Sequence, residues 1–315
     1  MKKHITLPSL ALSLLLSHFP LIGAQKEMLE PISISEISMF DLPLNPFVIE
    51  ADQVLEIIQK SGITVEELLQ QLVPVAQQFA QPFVSNYYVG VAGLGKSGAI
   101  YLGVNLEFLG VPLNQTVHAE QFLAALVRSR GEREIVAIAL SAPPCGHCRQ
   151  FLNEMDEKGD LQIYVKGSSP EKLSNLLPKA FGPQNLGFSG SMLSPVNGDY
   201  VFTMDYSLRT FAYMAMVNSY APCTNANSGV ALQTYDGRIY NGSYLETAAF
   251  NPSLSPLQVA LVSFVADGRN YSEISSVLLM EREDAIISQE MATWEVLKNI
   301  APQAELLIEK RMMRN

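Results

Sequence analysis

The sequence predicts a duplicated α/β protein. Segments in which apolar residues recur at helical spacing alternate with short β-rich runs. One of these runs, Ile135–Leu140, is apolar at every position, which is typical of a strand covered on both faces. The second half of the chain repeats the order of the first, and the simplest explanation is an internal duplication.

In the first half, segments with helical spacing and short β-rich segments follow one another in a regular order. Thr64 with Glu67 three residues later forms a capping box, which predicts the start of the second helix. The predicted elements are helices on both sides of Gly62 within Ala51–Ala80, strands Tyr87–Leu94 and Ala99–Phe108, a helix Val117–Val127, the strand Ile135–Leu140, a helix from Cys145 to about Met155, and a strand Leu161–Val165.

The second half is predicted to contain strands Gly229–Gln233 and Gly237–Leu245, a helix Pro256–Ala266, a strand Ile274–Glu281 and a helix Trp294–Ile300. A gap-free alignment sets 103–120 against 242–259 and brings Glu107 onto Glu246. The same alignment brings His118-Ala119-Glu120 onto Leu257-Gln258-Val259.

A glycine-rich segment imitates a phosphate-binding loop. Gly90 to Ser97 fits the pattern GxxxxGK[ST], which needs a helix directly after the loop because the helix N-terminus holds the phosphates. The residues that follow, 99–104, are β-rich. A hairpin turn at 95–98 is therefore the better interpretation.

Composition excludes several classes of function. The 31 acidic residues outnumber the 21 basic ones, which leaves a net charge of −10 and argues against a nucleic-acid partner. Three cysteines are too few for a disulfide framework, so metal binding or a reactive thiol are the uses to consider.

Residues 1–24 have a basic start and an interrupted apolar run, which fits either a cleaved signal peptide or an upstream extension.

Two short motifs carry the chemistry. His118-Ala119-Glu120 begins one predicted helix, and Cys145 and Cys148 lie three apart at the start of another. Residues at i and i+3 share a helical face, so both sulfurs can reach one ion, and a helix N-terminus favours the thiolate. His118 can bind the same ion only if that ion lies beyond the end of the helix that His118 begins. The site is then expected beyond the C-terminal end of Ile135–Leu140.

One histidine and two cysteines give three ligands, which is the number that catalytic zinc uses when water fills the fourth position. Three alternatives remain open from the residues alone. His147 could be a fourth ligand, the Cys-x-x-Cys pair could be a redox motif, or the two cysteines could simply pack.

The two motifs together resemble those of a known family. His-x-Glu followed by Pro-Cys-x-x-Cys is the zinc deaminase signature. The segments 116–121 and 142–151, together with 104–108, 181–183 and 248–253, resemble cytidine deaminases of the long, two-domain homodimeric class. The resemblance runs from about Phe47 to the C-terminus. It implies duplicated three-layer α/β/α domains with mixed sheets, preceded by a small helical segment.

The resemblance also implies the roles of individual residues. One zinc per chain would be held by His118, Cys145 and Cys148, and Glu120 would shuttle protons between the activated water and the base. The residues that would contact the substrate are Asn105, Glu107, Tyr87, Ala119 and Phe181. Asn105 and Glu107 would bind the ribose, Tyr87 stands where a base-stacking Phe is usual, and Phe181 matches a residue that reaches the partner's pocket.

The expected organisation is a leader or extension at 1–45, a helical segment at 46–82, a catalytic domain at 83–185 and a degenerate copy at 186–315. The expected function is hydrolytic deamination of cytidine and 2'-deoxycytidine in pyrimidine salvage by a homodimer, with no nucleic-acid or membrane partner. The alternatives are a polynucleotide cytosine deaminase and a non-catalytic zinc-binding interaction protein. A cytoplasmic location is expected, with export as the alternative if residues 1–24 are cleaved.

Overall fold

The computed structural model describes residues 47–156, 158–194 and 205–313, so the leader predicted at 1–45 lies outside the described residues. The helices are α1 (Ala51–Ser61), α2 (Val65–Gln77), α3 (Ala119–Ser129), α4 (Gly146–Asn153), α5 (Leu173–Leu176), α6 (Leu208–Val217), α7 (Pro256–Ala266) and α8 (Glu290–Ile300). The strands are β1 (Val48–Ile49), β2 (Gly90–Gly95), β3 (Ile100–Val104), β4 (Ile135–Leu140), β5 (Gln162–Val165), β6 (Glu171–Lys172), β7 (Ser228–Thr234), β8 (Ile239–Ser243), β9 (Ile274–Arg282) and β10 (Glu305–Arg311).

Two mixed sheets form the framework, and they share one topology. The first has the order β1-β3-β2-β4-β5-β6, and the second has the order β10-β9-β7-β8. In both, a hairpin pairs antiparallel with a third strand, which pairs parallel with a fourth. The predicted duplicated α/β fold is confirmed.

Helices cover both faces of each sheet at positions where a strand carries glycine. A Cβ on Gly90 would lie 2.5 Å from the Val73 carbonyl oxygen of α2, and one on Gly103 would lie 2.3 Å from the Ala119 carbonyl oxygen of α3. Both distances are too short for any side chain, so glycine allows the two helices to pack closely on the strands. Helix α3 is thereby fixed over β3 with its N-terminus at the functional site.

The two halves form one structure around α3 and α7. These helices pack against each other, and their buried faces belong to a single hydrophobic cluster that includes residues from both sheets. Burial of this kind contributes about 25 cal/mol per Å² of apolar surface and is the main force that holds the halves together. Within the described ranges, none of the helices has both the length and the apolar character needed to cross a bilayer.

The gap-free alignment of the two halves is wrong beyond Glu107. Leu106 bridges to Val117 and Leu245 bridges to Leu254, so the loop of the second half is two residues shorter. The glycine contacts confirm this two-residue difference. A Cβ on Gly242 would lie 2.3 Å from the Pro256 carbonyl oxygen, and a Cβ on Gly103 would lie 2.3 Å from the Ala119 carbonyl oxygen, so Pro256 is the equivalent of Ala119.

The corrected equivalences are Ser255 for His118, Pro256 for Ala119 and Leu257 for Glu120. The expectation of a degenerate copy in the second half is unaffected. The second copy has no ligand at the histidine position and no proton shuttle at the glutamate position.

The glycine-rich segment forms a hairpin and not a phosphate-binding loop. The Gly95 amide donates to the Ala99 carbonyl, and the Gly98 amide donates to the Gly95 carbonyl, which closes a tight turn between β2 and β3. Gly98 has a φ of +91°, a conformation that side-chain-bearing residues rarely adopt. No helix follows the glycines, as the β-rich sequence predicted.

Candidate metal centre and active site

Two helix N-termini bring the predicted metal ligands together. His118 is the residue before α3 and Cys145 is the residue before α4, and both have extended backbone angles that turn their side chains off the helix ends. Cys145 Sγ accepts a hydrogen bond from the Cys148 amide at 3.4 Å. The site lies directly after β4 and its Pro143-Pro144 stop, at the sheet edge that the sequence predicted.

The three donor atoms form a compact group. Cys148 Sγ lies 3.4 Å and Cys145 Sγ lies 3.7 Å from His118 Nδ1, and the two sulfurs are 3.5 Å apart. In the described part of the chain, no other group of three His, Cys, Asp or Glu side chains comes this close. One imidazole and two thiolates are the donors that zinc prefers, and three of them leave a coordination position open. The residues therefore fit a catalytic zinc ion.

The two thiols shift each other's pKa in opposite directions. The hydrogen bond with Cys148, followed by that with His118, lowers the pKa of Cys145 to about 3. The same contact with Cys145, followed by burial, raises the pKa of Cys148 above the ordinary thiol value. Cys148 is therefore the thiol whose proton is harder to remove, and both sulfurs must lose their protons before they bind a metal.

Zinc uptake should therefore depend on pH. Thiol protons must leave before both sulfurs can bind, so we expect the apparent zinc affinity to rise with pH and protons to be released when zinc binds. At lower pH the dependence should become steeper, because the hydrogen bond with Cys145 raises the pKa of His118 and its ring must also lose a proton. Chelator competition across a pH series measures this, and an affinity that does not change with pH would contradict it.

Glu120 is the acidic side chain of this cluster. It is 4% exposed, and its carboxylate interacts with the Cys148 thiol. Burial raises the pKa of Glu120, although the contact with Cys148 partly opposes the shift. A carboxyl whose pKa is moved toward neutrality is suited to take up and release protons, so the geometry supports a general acid-base role.

Asn105 and Glu107 anchor a loop beside this site. Glu107 accepts hydrogen bonds from the backbone amides of Val84 and Ser85 at 2.9 and 2.8 Å and from the Ser85 hydroxyl at 2.6 Å. Asn105 accepts from the Val89 amide and donates to the Tyr87 carbonyl, both at 3.0 Å.

Glu246 of the second half makes the same type of contacts. It accepts from the Cys223 and Thr224 amides and from the Thr224 hydroxyl. The second half makes these contacts although it lacks the metal ligands. Glu107 and Glu246 therefore share a structural role, which is to anchor a loop.

The remaining predicted contact residues lie in different environments. Tyr87 is 60% exposed on the anchored loop, and Phe181 is 45% exposed with its carbonyl bound to Gln150 of α4. Ala119 is buried at the start of α3. His147 is not among the three clustered donors; its ring stacks on that of His118, with centroids 4.8 Å apart.

Sequence reasoning assigned no role to Gln121, although the structure buries it with hydrogen-bond contacts to His118, His147 and Pro252. His118 precedes α3, and Gln121 follows three residues later, at the position from which a capping-box side chain hydrogen-bonds back to the residue before the helix. This spacing was the one sign in the sequence that Gln121 has a structural role. Its longer-range partners are not visible in the sequence.

Comparison with known proteins adds a second line of evidence. Residues 63–161 and residues 173–294 each match the cytidine and deoxycytidylate deaminase zinc-binding region. The chain is 42% identical over 244 residues to the cytidine deaminases of Yersinia pestis (strain Pestoides F) and Yersinia pseudotuberculosis serotype O:1b (strain IP 31758). Each alignment covers 78% of this chain and 83% of the relative.

Two solved structures are similar to part of the chain. The cytidine deaminase from Mycobacterium tuberculosis is 29% identical with a TM-score of 0.35. The aligned region covers 38% of this chain and 99% of the Mycobacterium tuberculosis chain. The cytidine deaminase from Burkholderia pseudomallei is 26% identical with a TM-score of 0.34. The aligned region covers 38% of this chain and 100% of the Burkholderia pseudomallei chain.

Proposed function

Because the chain belongs to the cytidine and deoxycytidylate deaminase family, we propose that it is a zinc-dependent cytidine deaminase that converts cytidine and 2'-deoxycytidine to uridine and 2'-deoxyuridine. The observation that carries the proposal is the buried Glu120 beside the His118, Cys145 and Cys148 group. A structural zinc site has no use for that carboxylate, whereas hydrolytic deamination requires a proton carrier.

The residues have separable tasks. His118, Cys145 and Cys148 would hold zinc, which when bound lowers the pKa of a coordinated water and so supplies the nucleophile. Glu120 would take up the two protons of the attacking water in turn, and would deliver one to N3 of cytosine and the other to the departing amine. Water adds at C4 and ammonia leaves, so the reaction consumes one water per cytidine.

The proposed substrate is a free nucleoside. Asn105 and Glu107 would bind the ribose hydroxyls, Ala119 would border the base, and Tyr87 would stack against it from the anchored loop. A carboxylate beside the sugar repels a phosphate, and the net charge of −10 gives no attraction to a polynucleotide.

The choice between nucleoside and polynucleotide can be tested directly. Cytidine and 2'-deoxycytidine should lose their ultraviolet absorbance with release of ammonia, whereas a single-stranded oligonucleotide that contains cytosine should stay unchanged under the same conditions. Deamination of the oligonucleotide without turnover of either nucleoside would contradict the proposal.

We also propose a homodimer. The resemblance to the long, two-domain homodimeric class supports this assembly, and Tyr87 and Phe181 carry exposed rings that contact with a partner would bury. The catalytic unit would be residues 83–185, preceded by the helical segment 46–82, and residues 186–315 would be a non-catalytic copy. Phe181 lies at their junction, from which it would reach the partner's pocket.

Sedimentation and metal analysis together test the assembly. We expect twice the chain mass of 34.6 kDa and one zinc per chain, because the second copy has Ser255 and Leu257 where the first has His118 and Glu120. A monomer, or two zinc ions per chain, would refute the proposed assembly.

A role in pyrimidine salvage and a cytoplasmic location complete the proposal. Asn114 and Thr116 form a glycosylation acceptor pattern two residues before His118, and Asn114 is exposed. A glycan at that position would crowd the site in a eukaryotic secretory route, which favours the cytoplasm.

A further inference from the structure

Gln121 is a buried amide whose orientation is fixed by its neighbours. It is 1% exposed, and its Oε1 accepts from the His118 amide at 3.0 Å. Its Nε2 donates to the Pro252 carbonyl at 2.7 Å and lies 3.0 Å from His147 Nε2. An amide N–H can only donate and a carbonyl can only accept, so the oxygen and nitrogen of Gln121 cannot be exchanged.

These contacts hold His118 by two routes. One is the direct bond to the His118 backbone, which fixes the residue from which the imidazole projects. The other is the His147 ring, which is held by Gln121 and stacks on the His118 ring at an interplanar angle of 18°. Because His147 Nε2 accepts from Gln121, the ring proton of neutral His147 is on Nδ1.

The third contact connects the site to the catalytically inactive half. Pro252 lies in the loop before α7, 131 positions from Gln121. Gln258 makes the mirrored bond, from its Nε2 to the Gln115 carbonyl at 2.9 Å, and its Oε1 accepts from the Ser255 amide. Each glutamine thus reaches the loop that precedes the other half's helix, but only Gln121 also touches a histidine.

We propose that Gln121 is a positioning residue for the metal centre, and that the second half takes part in the site by fixing Gln121 through the Pro252 carbonyl. The inference rests on the proposed zinc site and extends it to residues that contact neither metal nor substrate. Partners that orient a metal ligand typically change affinity or activity 10–100-fold when they are removed. The second half is then more than a scaffold.

The test compares Gln121→Met with Gln258→Met. Methionine keeps the volume and removes the hydrogen bonds, and each variant loses one bond between the halves. We expect Gln121→Met to bind zinc about 10–100-fold more weakly in chelator competition, and Gln258→Met to bind it as the wild type does. Thermal unfolding of the metal-free proteins measures the structural loss, which should be similar in both variants.

Equal zinc affinity in wild type and Gln121→Met, or an equal loss in both variants, would overturn the proposal. If Gln121→Met does not fold, His147→Ala decides, because that half-buried ring can be removed without touching the core. It should release zinc several-fold faster, and an unchanged rate would overturn the proposal. Zinc binding is measured without substrate, so this failure is distinct from absence of cytidine turnover in the zinc-loaded wild type.

Discussion

Glu120→Gln should lower the turnover of cytidine about 10²–10⁴-fold, which is the usual contribution of a general acid-base group. Glutamine has nearly the same shape and cannot take a proton from water. We expect zinc content and unfolding temperature to stay close to those of the wild type, because Glu120 is not one of the three clustered donors. Steady-state kinetics of the zinc-loaded variant measure the effect.

Glu132→Gln is the matched control for this change. Glu132 is also buried, and it lies after the C-terminal end of α3, the opposite end from Glu120. Its partners are Ser97 and neighbouring backbone amides, away from the metal ligands. Its replacement should leave turnover nearly unchanged. A near-normal rate in Glu120→Gln would remove the basis of the assigned mechanism.

Cys148→Ala should abolish both zinc retention and activity. The variant leaves one imidazole and one thiolate, too few donors to hold zinc against dialysis. We expect sub-stoichiometric metal and a fall in turnover of more than about 10³-fold, since without zinc nothing lowers the pKa of the attacking water. Metal analysis after dialysis, together with the deamination rate, measures both effects.

Cys223→Ala supplies the control, because Cys223 is the third free cysteine and lies outside the donor group. Its contacts are with Glu246 in the second half. The variant should keep one zinc per chain and wild-type turnover. Loss of zinc in Cys223→Ala, or its full retention in Cys148→Ala, would show that the ligands are wrongly assigned.

Local sequence patterns were sufficient for the parts of the structure that depend on local chemistry. The capping pair Thr64 and Glu67 predicted the start of α2, and the structure has Thr64 as the residue before that helix. The spacing of Cys145 and Cys148 predicted their shared site because three residues make nearly one helical turn. The chemistry of the metal centre is local to two helix ends, so short motifs were enough to find it.

The elements that the sequence did not predict depend on distant contacts. Strand β10 has the sequence ELLIEKR, whose residues are good helix formers, and it is a strand because it pairs parallel with β9. The role of Gln121 depends on Pro252 in the other half. The two-residue difference between the loops after Glu107 and Glu246 could not be detected by an alignment without gaps.

Turnover of cytidine is expected to follow zinc bound at the His118, Cys145 and Cys148 group. The most direct measurement is the titration of zinc into metal-free protein with uridine and ammonia followed together. Turnover should be absent at first, rise in proportion to zinc and level off at one zinc per chain, with equal amounts of uridine and ammonia. Deamination by the metal-free protein, or no uridine from protein that holds one zinc per chain, would contradict it.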